Sequence, residues 1–193
     1  EVMKLLSSKY IKDYRMDTQT TSTGKVKNKM IYTGPLYRWA MTEETLKKSR
    51  ILYLILNLAA WGIFIGSMLF YSNLSRIIYI ILPYACLMPV FFYFSTAACN
   101  LLFAKQPMNK EIKEKTYDRV KGSTLVGMIL SGGSFVGEVV GSLLVLNAVK
   151  TEDILFMTAT VILFIILCLG FVNARKLIVS EEVNPAAEEW KDK

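Results

Sequence analysis

The sequence predicts an all-α, polytopic transmembrane four-helix bundle with short cytoplasmic helical and interfacial segments, and three observations carry that prediction. Four uncharged or nearly uncharged runs, 51–71, 77–104, 123–146 and 154–174, make up about half of the 193 residues. Each is long enough to cross roughly 30 Å of hydrocarbon, which takes about 20 helical residues. Composition agrees: 53% of residues are hydrophobic and 20% charged, mean hydropathy is +0.36, and a soluble domain carries about 25% charge. The third observation is where the cations lie. Eleven Lys and Arg precede residue 51, six lie in 105–121 and four follow residue 174, while the other two connections hold Arg76 and Lys150 alone. This asymmetry predicts that both termini and the 105–121 connection are cytoplasmic, with short outer turns near 72–76 and 147–153.

The expected organisation is a cytoplasmic N-terminal region over 1–49, a four-helix transmembrane domain over 50–174 and a cytoplasmic tail over 175–193. The net charge of +7 then reads as orientation in a plasma membrane and attraction to the anionic head groups of the inner leaflet. Nucleic acid is not an expected partner. No cleavable signal pattern is expected, because the first long apolar run starts only at Ile51.

Taken in order, residues 2–14 place Val2, Met3, Leu6, Tyr10 and Tyr14 at near-helical spacing among Lys4, Lys9 and Lys12. A short helix on the inner leaflet and a solvated tail both fit this pattern. Thr18–Lys29 is Thr-, Lys- and Gly-rich and reads as a flexible connection. Around Gly34-Pro35 cluster Tyr32, Leu36, Tyr37, Trp39 and Met41; Tyr32, Tyr37 and Trp39 are expected to anchor the chain at head-group level or to meet a partner. Thr42 is the expected N-cap of the first span, with Glu43 and Glu44 in the turn where the helix dipole favours acids. Pro83 and Pro89 should bend the second span, since each removes a backbone donor. Asn109 is a cap candidate ahead of the third span, and Thr151, Glu152 and Asp153 give the fourth an acidic start.

The third span is the most informative. Gly133, Gly137 and Gly141 make two overlapping GxxxG steps, and the first span has Ala59, Gly62 and Gly66. In lipid, close backbone approach over small residues drives helix association. The default expectation is a seam between spans one and three; the alternative is a ridge facing a second copy or another protein. Glu138 is the one Asp, Glu, Lys or Arg within the four runs. Gly127, Ser131, Ser134, Glu138, Ser142 and Val145 fall within about 40° of one line on the helix. Leu125, Ile129, Val136 and Leu143 lie opposite, suited to lipid. A carboxylate in a bilayer costs about 2.5–3.5 kcal/mol on the lenient insertion scale, so Glu138 should face protein or water. Counting about 1.5 Å per residue places it near Gly66–Ser67, Tyr84 and Thr158–Thr160. Ser131, Ser134, Ser142, Tyr84 and Thr158 therefore complete the candidate polar site. Asn57 is expected to hydrogen-bond between helices.

Function follows less directly. The absence of histidine removes the commonest general base and metal ligand, and Cys86, Cys99 and Cys168 have no CxxC spacing. No catalytic, cofactor or metal site is expected. A lipid-directed enzyme using Glu138 as acid would lack a nucleophile–base pair. The preferred expectation is a non-enzymatic accessory subunit or oligomeric scaffold, meeting a protein partner through Tyr32–Met41 and the 105–121 connection or self-associating through its helices. The alternative is a small proton- or cation-coupled transporter or channel using Glu138.

Overall fold

A computed structural model describes residues 9–20, 26–70, 72–144 and 150–185. Four helices are long and apolar enough to cross a membrane: Glu43–Met68, Ile78–Phe103, Lys110–Leu144 and Thr151–Lys176. Each overlaps one predicted run. The all-α expectation fails outside them. Tyr14–Thr20 (β1) and Val26–Tyr32 (β2) form an antiparallel hairpin that sets Tyr14 opposite Tyr32 and Thr20 opposite Val26. Thr18–Thr20 and Val26–Lys29, expected in a flexible connection, are thus strand. Of residues 2–14, read as a surface helix or a solvated tail, the described part contains one 3-10 turn, Ile11–Asp13, leading into β1. Residues 2–8, like Val145, lie outside the described residues.

The described residues divide into two compact units, one within 1–40, 104–114 and 178–193 and the other within 41–103 and 115–177. In the first, Leu36–Trp39 (β3) pairs antiparallel with Val179–Glu182 (β4), setting Leu36 opposite Glu182 and Trp39 opposite Val179. Tyr and Trp suit a half-buried pleated surface, and the partner strand arrives from the other end of the chain. On the opposite edge of β3, Tyr37 N donates to Met108 O at 2.7 Å and Met108 N to Tyr37 O at 2.8 Å. Asn184 closes the preceding turn, its Nδ2 donating to Tyr32 O and Gly34 O at 2.9 Å each. No side chain fits at Gly34, where a Cβ would lie 2.6 Å from the Tyr32 hydroxyl and 2.9 Å from Asp13 Cβ. Three separate segments are therefore tied by main-chain bonds into one body.

Glu114, which closes the 104–114 segment, accepts hydrogen bonds from the Lys9 ammonium and, at 2.8 Å, from the Tyr10 hydroxyl. These bonds hold its carboxyl below the usual carboxylate range, the ammonium contributing most. A depressed folded-state value means a stabilising contribution that is complete above the unfolded value and lost as pH falls through the folded one. Stability of the wild type is expected to decline more steeply than that of Glu114→Gln as pH drops below about 4.3, the ordinary Glu value. Thermal melts across that acid range measure it; parallel curves would remove Glu114 from the acid response.

In the second unit, α1 (Glu43–Met68) begins as expected: the Thr42 side chain accepts from Thr45 N at 3.4 Å, with Glu43 and Glu44 in the first turn. The second candidate span is two segments, α2 (Ile78–Ala85) and α3 (Leu87–Phe103). Both prolines explain the break. Pro83 lies inside α2 and leaves the Tyr79 carbonyl without its usual donor, while Pro89 sits in the first turn of α3, where no donor is required. Lys110–Lys113 (α4), whose cap Asn109 accepts from Ile112 N at 2.8 Å, runs through a π-helical turn over Glu114–Asp118 into α5 (Arg119–Leu144). The fourth candidate span is α6 (Thr151–Lys176). Within the bundle α5 packs against α6, α3 and α2, and α1 packs against α6 and α3.

Helices α1 and α5 are diagonal, so the expected seam between spans one and three does not form. A Cβ at Gly137 would lie 3.3 Å from Ile80 Cγ1 and 3.6 Å from Tyr79 O, and one at Gly141 3.1 Å from Ile77 and Ile80. Both glycines face α2. Gly133 is exposed, and at Gly62, Gly66 and Gly133 a Cβ would meet nothing within 4 Å. What joins α1 to α3 is polar and aromatic: Trp61 Nε1 donates to Ser95 Oγ at 2.8 Å, and Ser95 Oγ to Asn57 Oδ1 at 2.9 Å. Phe64 stacks on Tyr84 at 5.1 Å between ring centroids, and Tyr84 tilts against Phe156 at the same distance.

Candidate functional site

Helix α5 turns its polar line inward. Gly127, Ser131, Ser134 and Glu138 are buried, while Ile129, Val136 and Leu143 are 62–77% exposed. The predicted division into a polar inner face and a greasy outer one is what the packing shows. The reason is the helical period: residues 131, 134 and 138 share a stripe that three neighbouring helices cover.

Glu138 is fully buried. The Thr160 hydroxyl of α6 lies 2.7 Å from its Oε1 and 3.1 Å from Phe156 O. One hydroxyl has one proton, so Thr160 shares it between the two oxygens as a three-centre bond. The second carboxyl oxygen, Oε2, is buried with no hydrogen-bond partner, and so is Ser134 Oγ one turn earlier on the same face. Between membrane helices, a hydrogen bond like that joining α5 to α6 is worth about 0.6–1.7 kcal/mol. Glu138 is therefore half engaged: one oxygen ties two helices together and the other is bare.

Ser134 stands apart from the other hydroxyls of α5. Ser123, Thr124, Ser131 and Ser142 all donate to carbonyls three or four residues back, at 2.7–2.8 Å to Arg119, Val120, Gly127 and Val139. Such back-bonding is the usual solution for a hydroxyl inside a helix. Ser131 and Ser142 are thereby self-satisfied, though sequence reasoning grouped them with Glu138. Comparison of the chain with family models, curated proteins and solved structures gives no match. The site must be judged on its own atoms.

Tyr84 and Thr158 divide. The Tyr84 hydroxyl is buried and hydrogen-bonded with Ser67 Oγ. Thr158 is exposed and donates to Ile154 O at 2.8 Å. The α6 partner is Thr160, two residues on, because a shift of two positions turns a helical side chain by roughly 200°. An apolar groove of about 260 Å³ opens beside Gly66, Ser67, Thr158 and Ala159, between α1 and α6. Glu138 does not line it.

The aromatic anchor is also redistributed. Trp39 is 3% exposed, so it cannot present its ring to head groups as expected. Tyr32 donates to Pro35 O at 2.9 Å and accepts from Lys110 N at 3.1 Å; burial raises its hydroxyl above the ordinary tyrosine value. Tyr37 carries the Lys113 ammonium 4.6 Å above its ring, a favourable cation–π distance. These residues build the discontinuous unit. Sequence reasoning missed Met108 and Asn184, which complete it, and Thr116, whose hydroxyl is buried without a partner. Nothing local in the sequence marks Met108 or Asn184, since both act on residues more than 70 positions away.

Proposed function

We propose that the chain is a multi-pass membrane protein with both termini and the 105–121 connection on the cytoplasmic side, and that it works as a non-enzymatic interaction module, an accessory subunit or scaffold. The observation that carries the reading is the joining of β3 to Met108 and to β4. The two segments proposed to meet a partner, Tyr32–Met41 and the 105–121 connection, contribute to one hydrogen-bonded body at Tyr37 and Met108. A rigid surface loses less conformational entropy on binding than three separate tails would. The exposed side chains of Arg38 and Ile112 belong to that body.

Photo-crosslinking residues at positions 38 and 112 are expected to capture the same protein in intact cells, and one at position 143 to capture only lipid. No shared adduct from 38 and 112 would defeat the interaction reading. Orientation is tested separately with single cysteines in a cysteine-free background. Labelling from outside should modify positions 73 and 150 and spare 25, 113 and 188; external labelling of 113 would overturn the charge argument.

A transporter or channel is the second reading, and the bare Glu138 Oε2 favours it. Flux driven by an ion gradient in liposomes, lost in a stable Glu138→Gln variant, would replace the scaffold reading with this one.

A further inference from the structure

The polar stripe of α5 contains more than a tie between helices. Glu138 Oε2 and Ser134 Oγ are both buried, both lack a hydrogen-bond partner and do not bond to each other. Buried polar atoms are almost always satisfied, and each exception needs a physical reason. These two lie one helical turn apart on one face, and Thr160 Oγ1 adds a third oxygen 2.7 Å from the other carboxyl oxygen. The four apolar runs contain no Lys, Arg or His, so no side chain of those runs supplies a cation to balance a carboxylate there.

We propose that Glu138, Ser134 and Thr160 form a binding site for one dehydrated alkali cation, sodium in size and charge. A proton on the carboxyl would neutralise it but could not bridge two oxygens that fail to meet, leaving Ser134 Oγ bare. Water could bridge them and would leave the carboxylate uncompensated in a low-dielectric interior, where an unpaired charge is most costly. A monovalent ion does both. It bonds the carboxylate and hydroxyl oxygens, the hard donors that hard cations take, and it cancels the single negative charge. Calcium or magnesium would leave excess positive charge and needs a larger or more regular oxygen shell. The Tyr84 hydroxyl is already bonded to Ser67 and is not counted among the ligands.

The proposal rests on the bilayer reading, and its test separates the two. The full chain in liposomes is assayed for uptake of radioactive sodium onto the protein, beside a check that alkaline wash leaves it in the membrane. Saturable binding, displaced by unlabelled sodium and not by choline, is expected, with loss in Glu138→Gln. Ser134→Ala should bind about tenfold more weakly, the equilibrium equivalent of one lost contact of hydrogen-bond strength. It is the safer variant, because it removes one oxygen and no charge. A chain stripped by alkali defeats the bilayer reading. A retained, monodisperse protein that binds no sodium overturns the site, as does binding unchanged in Ser134→Ala.

Discussion

Leucine in place of Gly137 is expected to destabilise the bundle by about 1–3 kcal/mol, the usual cost of forcing extra methylenes into a packed core. The magnitude depends on what the first carbon meets. A Cβ at Gly137 would sit 3.3 Å from Ile80 Cγ1, a tight contact to which the Ile80 side chain must give slightly, and at ordinary distances of 3.5 Å from Tyr79 Cδ2 and 3.6 Å from Tyr79 O. Alanine therefore fits with small adjustments, and the roughly 1 kcal/mol that helix propensity gains over glycine should offset them. Leucine adds three further carbons toward the α2 backbone, at the carbonyl that Pro83 leaves without a helical donor. Gly133→Leu is the decisive comparison, because nothing lies within 4 Å of its Cβ position. Melting in detergent should rank Gly137→Leu well below wild type, with Gly137→Ala, Gly133→Leu and Leu143→Val near it. A Gly133 variant as damaged as the Gly137 one would mean that the ridge is covered by another chain.

Removing the Asp153 carboxylate should cost about 3 kcal/mol, below the sum of its bonds because all of them share one small acceptor group. Oδ1 accepts from Ser72 Oγ at 2.8 Å, Asn73 N at 2.7 Å and Leu74 N at 3.4 Å, while Oδ2 accepts from Lys150 N at 3.0 Å. One side chain thus caps its own helix and ties the turn before α2 to the start of α6. Asp153 is fully buried, so its deletion strands donors that water does not readily reach. Asp153→Ala is expected to lower the melting temperature and to speed amide exchange at Asn73 and Leu74. Asp153→Asn keeps an oxygen for the turn but sets an amide donor against Lys150 N, and should fall between. Unchanged exchange at both amides in the alanine variant would rule out the carboxylate as the holder of this turn.

What the sequence determined by itself was whatever depends on neighbours within one or two helical turns. The four long apolar helices follow from the length and apolarity of their runs, and the caps at Thr42 and Asn109 from residue type at a helix start. The inward stripe of Ser131, Ser134 and Glu138 against the exposed Ile129, Val136 and Leu143 follows from the 3.6-residue period alone. Asn57 was legible as a bonding group because an amide in an apolar run must find a partner.

Tertiary structure decided which surfaces meet. The two glycine series are alike in sequence, yet Gly137 and Gly141 face α2 while Gly62, Gly66 and Gly133 face no atom closer than 4 Å; spacing reports that an approach is possible, not which helix makes it. Thr160 rather than Thr158 reaches Glu138 because the rotation of α6 about its axis is set by packing along its whole length. The discontinuous unit was the least visible. Its central strand is four residues long and pairs with residues 71 and 140–146 positions away, so the hydrogen bonds that stabilise it exist only once distant segments of the chain have met.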